Sequence, residues 1–289
     1  MAIPEKILDG IEHLDPLPVS VQRLIEALGD EEVHLAEVAE IIEEDAAMTA
    51  NILRLVNSSL YAGRFEITRL RDAVTRLGTS ELLNLALGSH VSELAAPAPL
   101  YALSEEEIWL HAAVTAQAVR EITAARPEAG IPSIAPVAGL LHDIGKLLMV
   151  RYLDAKMETV IELCRTEDCS FVEAERRLFG CDHGEVGGRI AEKWGFPEAI
   201  GRGIAHHHDT PLPVEDPLLD AVVVANLVAK TIGVGLGAEG MGLEIDLAAS
   251  RRLGLDYIGF CQVCSRTAEA AQTLRQTLAD SRQGATAGA

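Results

Sequence analysis

Apolar residues recur along this chain at the three- and four-residue spacing of a helix, and almost nowhere at the two-residue alternation of a strand. That period restricts the fold more than any other feature, and the chain reads as all-α. In "LAEVAEIIEE", Leu35, Val38, Ala39 and Ile42 share one helical face. The ends of such segments carry matching signals. "TRLRDAVTRLG" is expected to be capped by Thr68 and stopped by Gly78. Asp45 precedes "AAMTANILRLVNSS", and Asp216-Pro217 opens "LLDAVVVANLVAK" with proline at the first helical position.

Two stretches break the pattern. "SELAAPAPLYALS" (92–104) holds two prolines and marks a boundary, and "TIGVGLGAEGMGLEI" (231–245) is rich in glycine. They divide the chain into an N-terminal helical part (1–100), a histidine-bearing helical core (101–230), and a glycine-rich loop with a last helix around 257–279 (231–280). The tail "SRQGATAGA" (281–289) is expected to be disordered. No repeat of fixed period is visible.

Charge excludes several classes of partner. With 24 Lys+Arg against 44 Asp+Glu, the formal charge of -20 repels nucleic acid and anionic membrane, so neither is expected to bind. "MAIPEKILDG" has no apolar leader segment, and no run reaches the roughly 18 apolar residues of a membrane span. A cytoplasmic protein is expected. Five cysteines, an odd number in a long chain, read as reduced thiols. Cys261 and Cys264 form a lone C-x-x-C and are expected to be buried. "GLGAEG" (235–240) matches a dinucleotide-loop pattern but follows a helix, so it reads as a plain loop.

The chemistry-bearing residues are dispersed. They are His111 in "EEEIWLHAAV", His142-Asp143 in "GLLHDIGK", His183 in "CDHGEVGGRI" and His206-His207-His208 in "AHHHDTP". Separate helices each offering one inward-pointing donor are how helical bundles build metal sites. Imidazole with carboxylate suits Fe, Mn, Ni, Co or Zn better than Ca or Mg. Any one of these histidines alone reads as a hydrogen-bonded core residue, so the case rests on the set. Glu107 has two readings: it lies four residues before His111, on the same face, and three after Ser104, where it completes a capping box. Asp182 and Glu185 have the same capping spacing, which puts His183 in the first turn of its helix.

In their order these motifs resemble the HD superfamily of metal-dependent phosphohydrolases. "LDPLPVSVQRLIEAL", "IIEEDAAMTANILRLVNSSLY" and "ITRLRDAVTRLGTSELLNLAL" narrow the resemblance to the HDOD domain, an HD-related output domain of bacterial signalling proteins. The likeness runs from about Leu14 to about residue 270. It implies a multi-helix HD/HDOD-type bundle with an N-terminal helical subdomain. It further implies one or two divalent transition metal ions, held by His111, His142 and Asp143 and by His183, His207 and His208 as in the HD-GYP branch. Glu107 and Asn226 are weaker members of that set. Asn226 stands where the family has a late aspartate, and its amide oxygen brings no charge. Lys146, three residues after Asp143, matches the lysine that approaches metals and substrate phosphate. "HHHD" is followed by "TPLPVEDP" rather than "GYP", so the cyclic-di-GMP hydrolase loop is missing.

Two functions follow from the resemblance. The first is a signalling or regulatory module that acts through protein contacts and carries an inherited metal site. The second is a metal-dependent phosphohydrolase acting on a nucleotide-type phosphoester, with Asp143 and Lys146 as the catalytic groups. A purely structural module without metal is the third reading. No separate sensor or kinase segment is visible, so signalling partners are expected in trans.

Overall fold

The structure, a computed structural model, describes residues 3–28, 35–57, 66–78, 82, 85–87, 103–153, 157–167, 169–209, 215–237 and 247–286. Among them there is no β-strand. The described helices of the N-terminal part are α1 (Glu5–Glu12), α2 (Val19–Leu28), α3 (Leu35–Glu43), α4 (Ala46–Val56) and α5 (Leu70–Leu77), with residues 82 and 85–87 also helical. α3 packs on α2, α4 and α5, burying Val38, Ala39 and Ile42 as the spacing predicts. Asp45 caps α4, accepting from the Met48 amide at 2.9 Å and the Ser20 hydroxyl at 2.8 Å. Gly78 ends α5 at φ +77°, where only glycine is unstrained. Thr68 is not the α5 cap. The helix starts at Leu70 with Arg69 at the cap position, which leaves Thr68 one residue too early to reach the free amides.

The second part is built around α6 (Glu105–Ala125), the long helix against which α7 (Ala135–Leu141), α13 (Pro217–Thr231) and α15 (Tyr257–Thr286) pack. Between them run α8 (Ile144–Leu153), α9 (Met157–Glu167), α10 (Phe171–Phe179), α11 (His183–Lys193) and α12 (Glu198–Ala205), with α14 (Leu247–Arg252) following α13. α1 lies on α8 and α11, and the Trp194 indole N–H donates to the Asp15 carbonyl at 3.2 Å. One apolar core runs from Ile7 to Val263, so the two parts share an interior.

α15 runs to Thr286, as a helix already under way needs no new nucleus. One expectation meets a different outcome. Cys261 is exposed and Cys264 half-buried, because both lie on the outer side of α15; Cys164, Cys169 and Cys181 are buried free thiols. Most of the boundary stretch, 92–102, and most of the glycine-rich loop, 238–246, lie outside the described residues. No helix among the described residues is long and apolar enough to cross a membrane.

Candidate metal centre

His142 and Asp143 occupy the break between α7 and α8. The Asp143 carbonyl accepts from the Lys146 amide at 3.0 Å, and the Lys146 ammonium donates to Asp143 Oδ2 at 2.7 Å, one turn on. Gly145, inside this turn, sets the spacing of the site. A Cβ there would overlap the His183 carbonyl and come within 2.7 Å of the Gly187 amide, so α8 and α11 touch backbone to backbone. His183 arrives at that contact because Asp182 and Glu185 form the expected capping box at the start of α11.

Asp143 is the centre of the cluster, with its two oxygens facing different histidines. Oδ2 lies 3.5 Å from His111 Nε2 and 3.3 Å from His142 Nε2. Oδ1 lies 3.3 Å from His183 Nε2 and 3.6 Å from His207 Nε2. Two sets of donor atoms result, each within 4.8 Å: His111, His142 and Asp143, and Asp143, His183, His207 and His208. His111, His142, His183 and His207 are buried, and Asp143 and Lys146 are only 6% and 2% exposed.

The far side of four of these rings is already engaged. Nδ1 of His111, His142 and His207 faces the carbonyls of Val234 (3.2 Å), Gly139 (2.8 Å) and Ile204 (2.7 Å), and His183 Nδ1 faces Glu175 Oε2 at 2.7 Å. These acceptors place the proton on Nδ1 and turn Nε2 toward the centre. There Asp143 Oδ1, His207 Nε2 and His208 Nε2 are buried with no hydrogen-bond partner. Atoms of this kind cost about 1–3 kcal/mol each when left unsatisfied. A metal ion between them would remove that cost, so the residues present fit the group.

Electrostatics agree. Burial pushes His111 down to about 3 and His207 down to about 4, and holds His208 well below the ordinary histidine value, leaving their lone pairs free. Burial by itself would raise Asp143, but His142 and Lys146 outweigh it and keep the carboxyl well below its usual range. His183 differs. Burial opposes its charge, yet the Glu175 carboxylate overrides this and raises it to about 10.

A profile of the HDOD domain matches residues 14–210. The chain belongs to the HDOD family. An HDOD domain protein of unknown function from Geobacter sulfurreducens superposes with a TM-score of 0.68 at 26% identity, over 94% of this chain and 92% of that one. A provisionally assigned signal transduction protein from Marinobacter aquaeolei reaches 0.77 at 22% identity, over 96% of this chain and 61% of the other. A provisionally assigned phosphohydrolase from Shewanella amazonensis gives 0.68 at 22%, over 95% and 98%. At those identities the last two speak for the fold alone. An uncharacterized protein from Treponema pallidum is 26% identical over 237 residues, 78% of this chain and 44% of its own length. The chain thus spans under half of that relative.

Within this HDOD fold, His111, His142, Asp143, Lys146, His183, His207 and His208 converge; of the two further candidates, Glu107 stands apart and Asn226 does not. Glu107 is exposed and forms the capping box: its Oε2 accepts from the Ser104 amide at 2.7 Å and the Ser104 hydroxyl at 2.8 Å. Its carboxylate is taken up by the helix start, which corrects the ligand reading. Asn226 is 5% exposed, and its Oδ1 is buried without a hydrogen-bond partner. One turn on, Lys230 is close enough to lower His111 and His208, so this face of α13 looks toward the cluster. The one aspartate inside α13, Asp220, has both oxygens held by Arg252, at 2.6 Å to Nη2 and 2.9 Å to Nε.

Sequence reasoning missed three supporting residues. Glu175 is fully buried beside His183. Its signal was available: it lies four residues from both Phe171 and Phe179, a carboxylate on the apolar stripe of α10. Lys230 is 8% exposed and reads from sequence as an ordinary helix-end cation. Gly235, at φ +72°, packs so tightly on His111 that a Cβ would fall 2.8 Å from the His111 Cβ and closer still to its ring.

Proposed function

We propose that this HDOD chain is a metal-binding signalling module, with one divalent transition metal ion on each side of Asp143 and its output passed to signalling proteins in trans. What supports the reading is the convergence of Nε2 atoms on the two Asp143 oxygens, with the Nδ1 atoms already anchored. His111, His142 and Asp143 would hold one ion. Asp143, His183, His207 and His208 would hold the other, and Asn226 Oδ1 is a further oxygen for one of them. The depth of the site favours binding over turnover, since Asp143 and Lys146 are 6% and 2% exposed. Elemental analysis of the purified parent should find stoichiometric Fe, Mn, Ni, Co or Zn, and His142→Ala and Asp143→Ala should lose it. A parent without metal overturns the reading.

One observation favours the phosphohydrolase as the second reading: the Lys146 ammonium stands 2.7 Å from Asp143 Oδ2, where it would offset negative charge on a phosphoryl group. Bound ions would supply an acidified water and polarise a phosphoryl oxygen. Metal-loaded parent that hydrolyses a nucleotide phosphodiester, with the activity lost in Lys146→Met, would favour this reading over the first.

A further inference from the structure

Beyond the ligands themselves, one helix that supplies none of them holds half of the site in place. Glu175 and Arg176 are neighbours on α10. Glu175 Oε2 accepts twice from His183, from the ring Nδ1 at 2.7 Å and from the amide at 3.1 Å, and both side chains are fully buried. On the outer side, Arg176 Nε donates to Asp182 Oδ2 at 2.6 Å and Arg176 Nη2 to Asp209 Oδ1 at 2.9 Å. Asp182 is the cap that starts α11 at His183, and Asp209 directly follows His208. Its other oxygen lies 2.8 Å from His206 Nδ1. Two consecutive residues thus fasten both segments that carry His183, His207 and His208.

Among the described residues, neither ring of the other set meets a carboxylate at Nδ1. Backbone carbonyls, of Val234 and Gly139, face Nδ1 of His111 and His142. A carboxylate acceptor orients a ring and strengthens its donor nitrogen more than a neutral carbonyl does. On the Asp143 side, Oδ2 also accepts from Lys146, whereas Oδ1 has no hydrogen-bond partner. The two halves of the centre therefore differ in both anchoring and available charge.

We infer that Glu175 is a positioning residue that makes the His183, His207 and His208 half the tighter of two unequal metal sites. The inference rests on the metal-binding reading proposed above. Loss of such an outer carboxylate typically weakens metal binding about 10- to 100-fold.

Glu175→Gln is the decisive variant, because it keeps an acceptor oxygen and nearly the same volume while removing the charge. Metal-free parent and E175Q are titrated with Co2+, following heat by calorimetry and the visible absorption of the ion. The parent should show two steps of different affinity. E175Q should weaken the tighter step about 10- to 100-fold, change the absorption band of that step, and leave the weaker step in place. Thermal melts of both metal-free proteins separate a ligand effect from a fold effect. E175Q that binds both ions as the parent does overturns the inference while sparing the metal-binding reading. Equal weakening of both steps, in step with a lower metal-free melting temperature, makes Glu175 merely structural and also overturns it. A parent that takes up no Co2+ overturns the metal-binding reading and this inference with it.

Discussion

The N-terminal helices and the histidine-bearing core fill one continuous interior with different materials. From α1 to α5, among the described residues, the buried side chains are apolar with the exception of Ser20. The ion pairs of that part, Arg23 with Glu44 and Arg71 with Glu40, lie at the surface, where such pairs contribute little. The second part buries His111, His142, Asp143, Lys146, Glu175, Asp182, His183, His207, Asp220, Asn226 and Lys230. Apolar burial stabilises by itself, whereas buried polar atoms stabilise only when each finds a partner. One half is therefore held mainly by apolar packing, whereas the other depends on how its buried polar atoms are paired.

That contrast can be broken at several points. Gly145→Ala should have the largest effect. A methyl group would collide with the His183 carbonyl and the Gly187 amide, and neither backbone can swing aside. A loss of at least about 3 kcal/mol is expected, with metal content gone. A melting temperature within about 2 °C of the parent would show that the helices can part freely. Gly10, in α1, makes the matching control. The atoms its added methyl would meet first all belong to the Tyr152 side chain, which is able to shift, so Gly10→Ala should cost far less.

Asp143→Ala comes next. It removes the carboxylate 2.7 Å from the Lys146 ammonium and should lower the stability of metal-free protein by about 3–5 kcal/mol, besides abolishing metal uptake. Coincident urea transitions for metal-free parent and variant would mean that Lys146 is satisfied without it.

Leu24→Ala, in the fully buried heart of α2, should cost about 3 kcal/mol and leave the metal stoichiometry of the folded protein unchanged. Loss of metal at full occupancy of the folded state would show that the two halves are more tightly coupled than their contents suggest.

The smallest effect is one of pH. Asp45 titrates below the ordinary carboxylate value because the Met48 amide and then the Ser20 hydroxyl donate to its ionised form. The unfolded chain takes up that proton first, so the contribution is whole above about pH 4 and fades as the pH falls through the folded-state value. Melting temperatures of the parent and Asp45→Asn should differ near about pH 7 and draw together as the pH falls below about 4. A gap of constant size would exclude ionised Asp45 as its source.

The helices were readable because period and punctuation are local. Ser104 with Glu107, Asp182 with Glu185, and Asp216 before Pro217 each announce a helix start within four residues. The donor histidines were readable only as an ordered set carried by resemblance, since one buried histidine looks like any other. Glu107 shows the same limit, as its spacing suited both roles and exposure decided between them. What stayed hidden is long-range. Glu175 reads as one more acid in a chain with 44 of them until α10 is seen against α11. Gly235 belongs to a loop 124 residues from His111 by numbering, and only packing reveals that its missing side chain makes room for that ring.

The contact at Gly145 bears on how such a chain can change over time. Where two helices meet main chain to main chain, the gap between them is a material constant, independent of which rotamers surround it. Geometry is then inherited from glycine, and chemistry from the residues lining the gap. Either can drift without the other: a descendant could trade one donor for a neutral side chain and still offer the remaining donors at unaltered spacing. The scaffold in effect stores a shape that outlives any particular use of it.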